Sequence, residues 1–195
     1  MIRFCDVFFS LLGLIVLSPV FVIIALCIVL DSKGGVFYRQ VRVGRNGEDF
    51  RLFKFRSMAS GADKKGLITV GSRDARVTRV GYVLRKYKLD ELPQLLNVLR
   101  GEMSLVGPRP EVRKYVDMYS IEQRKVLVVA PGITDYASIE YADENTILGQ
   151  AVDPDKAYVE LIMPDKIRYN MKYIDNRCLK EYFKIIFLTL MKIIR

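Results

Sequence analysis

KLDELPQLLNVLRGEMSLVGPRP, residues 88–110, decides how the rest of the chain is read. It begins with two adjacent carboxylates, Asp90 and Glu91, ahead of a short apolar helix. Pro93 has no N–H and is tolerated only in a helix's first turn, so the helix is expected to begin between Leu89 and Leu92. Leu89, Leu92, Leu95, Leu96 and Leu99 recur at helical spacing and predict a buried stripe, with Asp90, Gln94 and Asn97 on a different, polar face. An Asp in the first turn sits at the positive end of the helix dipole, which is expected to keep it ionised. Further on, Gly107-Pro108-Arg109-Pro110 predicts a rigid turn with a cation between two prolines. Taken alone, the stretch fits equally a capped helix followed by a loop, so its flanks must decide.

The chain has 195 residues and a net charge of +9. Residues 1–30 hold one Arg and one Asp, so the remaining 30 basic and 21 acidic residues carry all of that charge. A basic body calls for an anionic partner: nucleotide phosphates, nucleic acid or an anionic membrane surface. The absence of His removes the commonest general base and metal ligand. Cys5, Cys27 and Cys178 are odd in number and scattered, which excludes a disulfide framework and fits a reducing compartment.

Val7 to Leu30 is a run of 24 residues without a charge. A continuous helix of that size would be about 36 Å long, against a bilayer core of roughly 30 Å, so it reads as a membrane segment. It is too long for the apolar region of a signal peptide. Ser18-Pro19 near its middle removes a backbone hydrogen bond and predicts a bend. Cations flank both sides: Arg3 before it, and Lys33, Arg39, Arg42 and Arg45 after it. That pattern leaves two topologies open, a kinked transmembrane helix or a bent one that enters and leaves by the same face.

Val36–Val43 and Phe50–Met58 read as strands, joined through Asn46-Gly47 in a type I′ turn. Phe53 and Phe55 fall on one face of the second strand; Lys54 and Arg56 fall on the other, either solvated or lining an anion pocket. Ala59–Thr78 reads as a long loop that contains Arg73 and Arg76. Arg79–Lys86 reads as a short helix, so that Arg79, Arg85, Lys86 and Lys88 all precede the carboxylates closely. In such a cluster an Asp is expected to stay anionic, with a diphosphate held beside it. Glu111–Tyr119 looks helical. Ser120–Gln123 is a capping box, and Ala130-Pro131-Gly132 ends the helix it opens. Asp153-Pro154 opens another helix, which Pro164 interrupts or restarts. Tyr158, Tyr169 and Tyr173 are expected in the core or an interface. Leu179–Arg195 is amphipathic, with Lys180, Glu181, Lys184, Lys192 and Arg195 within about a third of its circumference; its wide apolar face suits a membrane interface.

Several of these motifs together resemble the monotopic phosphoglycosyl transferases, also called the bacterial sugar transferase family. Ser18-Pro19 matches the helix-breaking pair of that family's re-entrant helix, and FKFRSM at 53–58 its strand. ARVTRVGYVLRKYKLDELPQLLNVLRGEMSLVGPRPE at 75–111 is the diagnostic block; PGIT at 131–134 and DNR at 175–177 are shorter matches. Two departures stand out: Tyr87-Lys88, where members often have Thr-Ser, and Asp135-Tyr136-Ala137-Ser138, where many have a less acidic, Gly-containing run.

The resemblance implies an α+β monotopic membrane protein. Residues 1–32 would form a re-entrant helix and 33–195 one catalytic domain with a small β-hairpin, several short helices and an interfacial C-terminal helix. It places the chain at the bacterial inner membrane, facing the cytoplasm. The implied reaction moves a phosphosugar from a UDP-sugar to a polyprenyl phosphate and releases UMP. Asp90 would be the nucleophile and Glu91 its partner, as metal ligand or proton acceptor. Mg²⁺, bound at Asp90, is the expected cofactor. The expected substrate-binding residues are Lys54, Arg56, Arg76, Arg85, Pro108, Arg109 and Pro110. Membrane lipids are expected partners and nucleic acid is not; nothing in the sequence fixes an oligomeric state. Two competing readings are a membrane-tethered basic binding module, and a site in which Asp90 only ligates metal during direct transfer.

Overall fold

Leu17 ends one apolar helix and begins another. The two helices, α1 (Ile2–Val16) and α2 (Ser18–Asp31), meet there at a bend of 61°. The Ser18-Pro19 break is where it was expected. Pro19 lies in the first turn of α2, where a missing N–H is harmless. The Ser18 hydroxyl donates to the carbonyl of Ile15 at 2.8 Å. The structure, a computed structural model, describes residues 1–62 and 74–194. Among these, no single helix is long and apolar enough to cross a membrane, whereas the bent pair together is. Residues 63–73 of the expected loop, Arg73 among them, lie outside the described residues, as does Arg195.

Both ends of the helix pair are bonded to the same body. At the start, Arg3 donates to the carbonyls of Val98 and Leu99. Just past the end of α2, Arg56 gathers the carbonyls of the segment that follows, donating to Ser32 O at 2.7 Å, Lys33 O at 2.9 Å and Gly35 O at 2.6 Å, and to the Ser32 hydroxyl at 2.8 Å. Asp31 accepts the N–H of Val80 at 3.1 Å, at the start of α3 (Arg79–Lys86), whose N-cap is Thr78.

The hairpin forms as β1 (Phe37–Val43) and β2 (Asp49–Phe55), antiparallel, with Phe37 opposite Phe55. Asn46 and Gly47 take positive φ (57° and 82°), yet the connection is not the expected two-residue turn. It is a loop from Gly44 to Glu48, closed by the Gly44 N–H on Glu48 O at 2.7 Å. Phe55 packs with Ile24, Ile28 and Leu84, which joins the hairpin to α2 and α3.

Leu89–Glu91 forms a 3₁₀ turn, and α4 (Gln94–Arg100) begins after Pro93. Lys88 enters the turn with φ 57°, and no side chain caps it. The polar face of α4 is the more deeply buried one, and the expected leucine stripe is only partly buried, with Leu89 and Leu92 packed on the cluster of Ile24, Ile28, Phe55 and Leu84. Gln94, Asn97 and Val98 are buried, whereas Leu92, Leu95, Leu96 and Leu99 are half-exposed. Leu95 packs toward Gly13 of α1. The polar face is inside because Asn97 occupies the outer edge of β2. Its Oδ1 accepts the Phe53 N–H at 2.9 Å, and its Nδ2 donates to Arg51 O at 2.8 Å. One side-chain amide thus makes the two bonds that a third strand would have made.

Two strands went unexpected: β3 (Ser104–Val106) and β4 (Gly132–Thr134), which pair in parallel. Between them the expected helix over Glu111–Tyr119 shrinks to one turn, α5 (Arg113–Val116), because Glu111 O is already taken by the Val43 N–H at 2.8 Å. The capping box forms, and opens a 3₁₀ segment, Gln123–Val128. The remaining helices are α6 (Tyr136–Glu140), α7 (Glu144–Gly149), α8 (Pro154–Ala157), α9 (Met163–Asp175) and α10 (Leu179–Ile194). Asp153 caps α8 as expected, and a π turn, Tyr158–Ile162, leads into α9 just before Pro164. On α10, Tyr182 and Ile185 are buried while Phe183, Phe187, Leu190 and Met191 are exposed.

Asn97→Ala leaves the buried Phe53 N–H without a partner and is expected to cost about 2 kcal/mol. The loss is checked by denaturant titration in detergent, with Leu99→Ala on the half-exposed face as the milder comparison.

Candidate active site

Glu91 is a carboxylate with a cation on each side. Lys54, reaching from β2, donates to its Oε1 at 2.8 Å. Arg109 forms a two-pronged pair with it, through Nη2 to Oε1 and through Nη1 to Oε2 at 3.2 Å. Asp90, the adjacent residue, is only 6% exposed, and among the described residues no side chain hydrogen-bonds it.

Three elements bring these groups together. Lys54 is on the strand that Asn97 pins to α4. The dyad occupies the 3₁₀ turn just before α4. Arg109 sits in the turn that follows β3, and its backbone is held from several directions. Its N–H donates to the fully buried Asp135 at 3.1 Å, and Asp135 also caps α6 by accepting the Ser138 N–H at 2.6 Å. The Gly132 N–H donates to Pro108 O at 2.9 Å, and the Gly107 N–H to Thr134 O at 3.0 Å. Glycine is required there: a Cβ on Gly132 would lie 2.0 Å from the Gly107 nitrogen. On the other side, Arg42 donates to Pro110 O at 3.3 Å and to Glu111 at 3.2 Å, and the Tyr158 hydroxyl donates to Glu111 at 2.7 Å.

The two carboxylates are electrostatically unlike. For Glu91, burial works to raise the pKa, but Arg109 and Lys54 outweigh it by charge and hydrogen bonding and hold the group well below the usual carboxylate range. For Asp90 burial prevails and pushes the pKa up, helped by the charge on Glu91 and opposed by Lys54, Arg85 and Arg109. The helix dipole and the basic cluster therefore do not set the direction of the Asp90 shift; burial does. The physical reason is position: α4 starts at Gln94, so Asp90 lies outside its first turn, and the site around it is drier than a surface cluster. Burial lowers the Lys54 pKa, against the pull of Glu91. Arg109 is raised, chiefly by Glu91. Removing either cation would leave a buried charge short of a partner, which costs about 3–5 kcal/mol.

Of the residues expected to bind substrate, the structure gathers Lys54, Arg109 and the flanking Pro108 and Pro110 at the dyad, with Arg85 close enough for its charge to act on Asp90. Arg56 is elsewhere, spent on the end of α2. Arg76 forms a two-pronged pair with Asp74, and neither it nor Arg56 bonds to the dyad. Asp135, Arg42 and Asn97 were missed as supports of the site. Only Asp135 carried a signal, its place directly after the PGIT motif. Among the described residues no group of three or more Cys, Asp or Glu is placed to hold a metal. A magnesium ion shared between one carboxylate and substrate phosphates needs no such cluster, and Asp90 is the carboxylate of the pair left uncommitted.

A model of the family "Bacterial sugar transferase" matches residues 1–195. The chain is 37% identical over 195 residues to the UDP-N-acetylgalactosamine-undecaprenyl-phosphate N-acetylgalactosaminephosphotransferase of Aeromonas hydrophila, an alignment covering 98% of this chain and 43% of that protein. It is 40% identical over 193 residues to the UDP-glucose:undecaprenyl-phosphate glucose-1-phosphate transferase of Klebsiella pneumoniae, covering 97% and 39%. With a putative undecaprenyl-phosphate N-acetylgalactosaminyl 1-phosphate transferase of Bacillus subtilis it shares 42% identity over 120 residues, covering 62% and 67%. The chain thus spans less than half the length of the Aeromonas and Klebsiella proteins. On a match that runs its whole length, and with the dyad and the Pro-Arg-Pro turn brought to one site, the chain belongs to the bacterial sugar transferase family.

Proposed function

We propose that this chain transfers a phosphosugar from a UDP-sugar to a polyprenyl phosphate, undecaprenyl phosphate in bacteria, through a covalent intermediate on Asp90. The carrying observation is the inequality of the dyad. Glu91 is committed to Lys54 and Arg109, while Asp90 beside it is buried and free of hydrogen bonds from described side chains. A desolvated, uncommitted carboxylate is the better nucleophile of the two.

An oxygen of Asp90 attacks the phosphorus that bears the sugar. The bond from that phosphorus to the bridging oxygen breaks, and UMP leaves with the electron pair. The polyprenyl phosphate then attacks the same phosphorus, and the Asp90 carboxylate departs, giving polyprenyl-diphosphate-sugar. Arg109 and Lys54 face the diphosphate charge, and Glu91 keeps both cations oriented. Mg²⁺, held by Asp90 and the donor phosphates, would supply further screening of that charge.

The geometry of the helix pair supports a re-entrant reading, at the cytoplasmic face of the inner membrane. Arms of about 22 and 21 Å meeting at this bend form a V whose tip is about 11 Å from the line joining its ends, less than half of a bilayer core of about 30 Å. Both ends bond to one body, which suits a segment that leaves by the face it entered. The exposed apolar face of α10 fits an interfacial position alongside it.

Asp90→Asn is expected to reduce UMP release by about a thousandfold or more. With a radiolabelled donor, phosphosugar should be trapped on the wild type and not on the variant; full turnover by Asp90→Asn would sink the nucleophile assignment. The acid limb of the pH–rate profile is expected above the usual Asp range, because the raised Asp90 must lose its proton to attack. Lys54→Met removes a charge that lowers the Asp90 pKa, so the limb should move to higher pH; a limb unmoved or moved to lower pH would count against this assignment. For topology, a single cysteine placed beside Met1 in an otherwise cysteine-free chain should react with impermeant thiol reagents only from the cytoplasmic side. Labelling from the periplasmic side alone would refute the re-entrant reading.

A further inference from the structure

Arg3, Asp6 and Ser10 lie along one face of α1, a polar stripe in an otherwise apolar helix. Asp6 is 2% exposed, and its Oδ1 accepts three hydrogen bonds: from the Ser104 hydroxyl at 2.9 Å, the Leu105 N–H at 2.9 Å and the Tyr182 hydroxyl at 2.8 Å. Ser104 and Leu105 belong to β3, and Tyr182 is the fully buried tyrosine of α10. One turn earlier, Arg3 donates to the last carbonyls of α4, beside Gly101, whose φ is 86°.

These contacts fall on the two arms of one hairpin-like unit. The first arm is α4, preceded directly by the 3₁₀ turn that holds Asp90 and Glu91. The second is β3, which runs on through Gly107 to Arg109. The arms join at Gly101–Met103. Arg3 grips the end of the first arm and Asp6 the start of the second, so a single helical turn of α1 bridges them. A buried carboxylate is stabilised by hydrogen-bond donors, and here three converge on one oxygen. The bridge is therefore specific to α1 seated in one register.

We infer that Asp6 and Arg3 are positioning residues for the transfer reaction: through them α1 fixes where Arg109 sits relative to the dyad, so the site is assembled only when the membrane helix is docked. The inference rests on the proposed function for its kinetic consequence, but not for its structural one. A shift of about 1 Å in Arg109 relative to the dyad suffices to cost about tenfold or more in turnover.

The test uses full-length protein in lipid nanodiscs. Asp6→Asn is compared with the wild type, with Asp6→Glu and with the double variant Ser104→Ala/Tyr182→Phe, which removes two of the three donors and leaves the carboxylate. Expected are a fall in kcat of about tenfold or more for Asp6→Asn, a change in donor KM below about threefold, and partial recovery with Asp6→Glu. Amide hydrogen exchange should speed up from Leu105 to Arg109 and stay unchanged from Phe37 to Phe55. Should Asp6→Asn fail to fold, the double variant decides by the same two readouts. Turnover within twofold of wild type, or exchange that rises evenly across the domain, overturns the inference. If the wild type releases no UMP from any UDP-sugar, the proposed function fails. Exchange then decides alone: a local rise supports the bridge, and its absence overturns it.

Discussion

A carboxylate taken out of water is held ionised most strongly by cations that come with it, and Glu91 is such a group. Its ionised state depends on Lys54 and Arg109, which arrive from different parts of the chain. Much of the surrounding architecture serves to hold those two in place. The strand carrying Lys54 is fixed by Asn97, and the turn carrying Arg109 by Asp135, Arg42 and a glycine pair packed too closely for any side chain. Among the described residues no side chain hydrogen-bonds Asp90, so it is the uncommitted carboxylate of the pair. Two residues with the same functional group and consecutive numbers thus acquire opposite electrostatic character from their surroundings alone.

Much of this was legible in the sequence where the rule is local. The Ser18-Pro19 bend, the capping box at Ser120, the Asp153 cap and the positive φ at Asn46-Gly47 depend on neighbours a few residues away, and each is found. Amphipathicity was read correctly as a pattern and wrongly as a direction. Periodicity says that α4 has two faces, but not which one meets the interior. Leu95 lies toward α1, Leu89 and Leu92 pack on the cluster of Ile24, Ile28, Phe55 and Leu84, and the amide of Asn97 had a sheet edge to satisfy. The three-residue strands β3 and β4 are too short for alternation to register, and they pair across 28 residues of sequence.

The site was legible in its centre and not in its supports. Asp90, Glu91, Arg85 and Arg109 lie in the block that carries the family resemblance, and Lys54 in the strand matched ahead of it. Arg56 looked like a further cation for the same pocket, since it shares a strand face with Lys54. Its guanidinium instead meets the open carbonyls at the end of α2, a demand that exists only once the helix has folded back onto the hairpin. Asp135 and Arg42 act on backbone groups far away in sequence, so nothing near them marks their role.

The amide of Asn97 has one more consequence. A two-stranded hairpin has two open edges, and an open edge can recruit a strand from another molecule. By occupying the outer edge of β2, Asn97 closes one of them with a group that cannot itself be extended into a sheet. A side chain in place of a third strand is thereby also protection against self-association through its sheet.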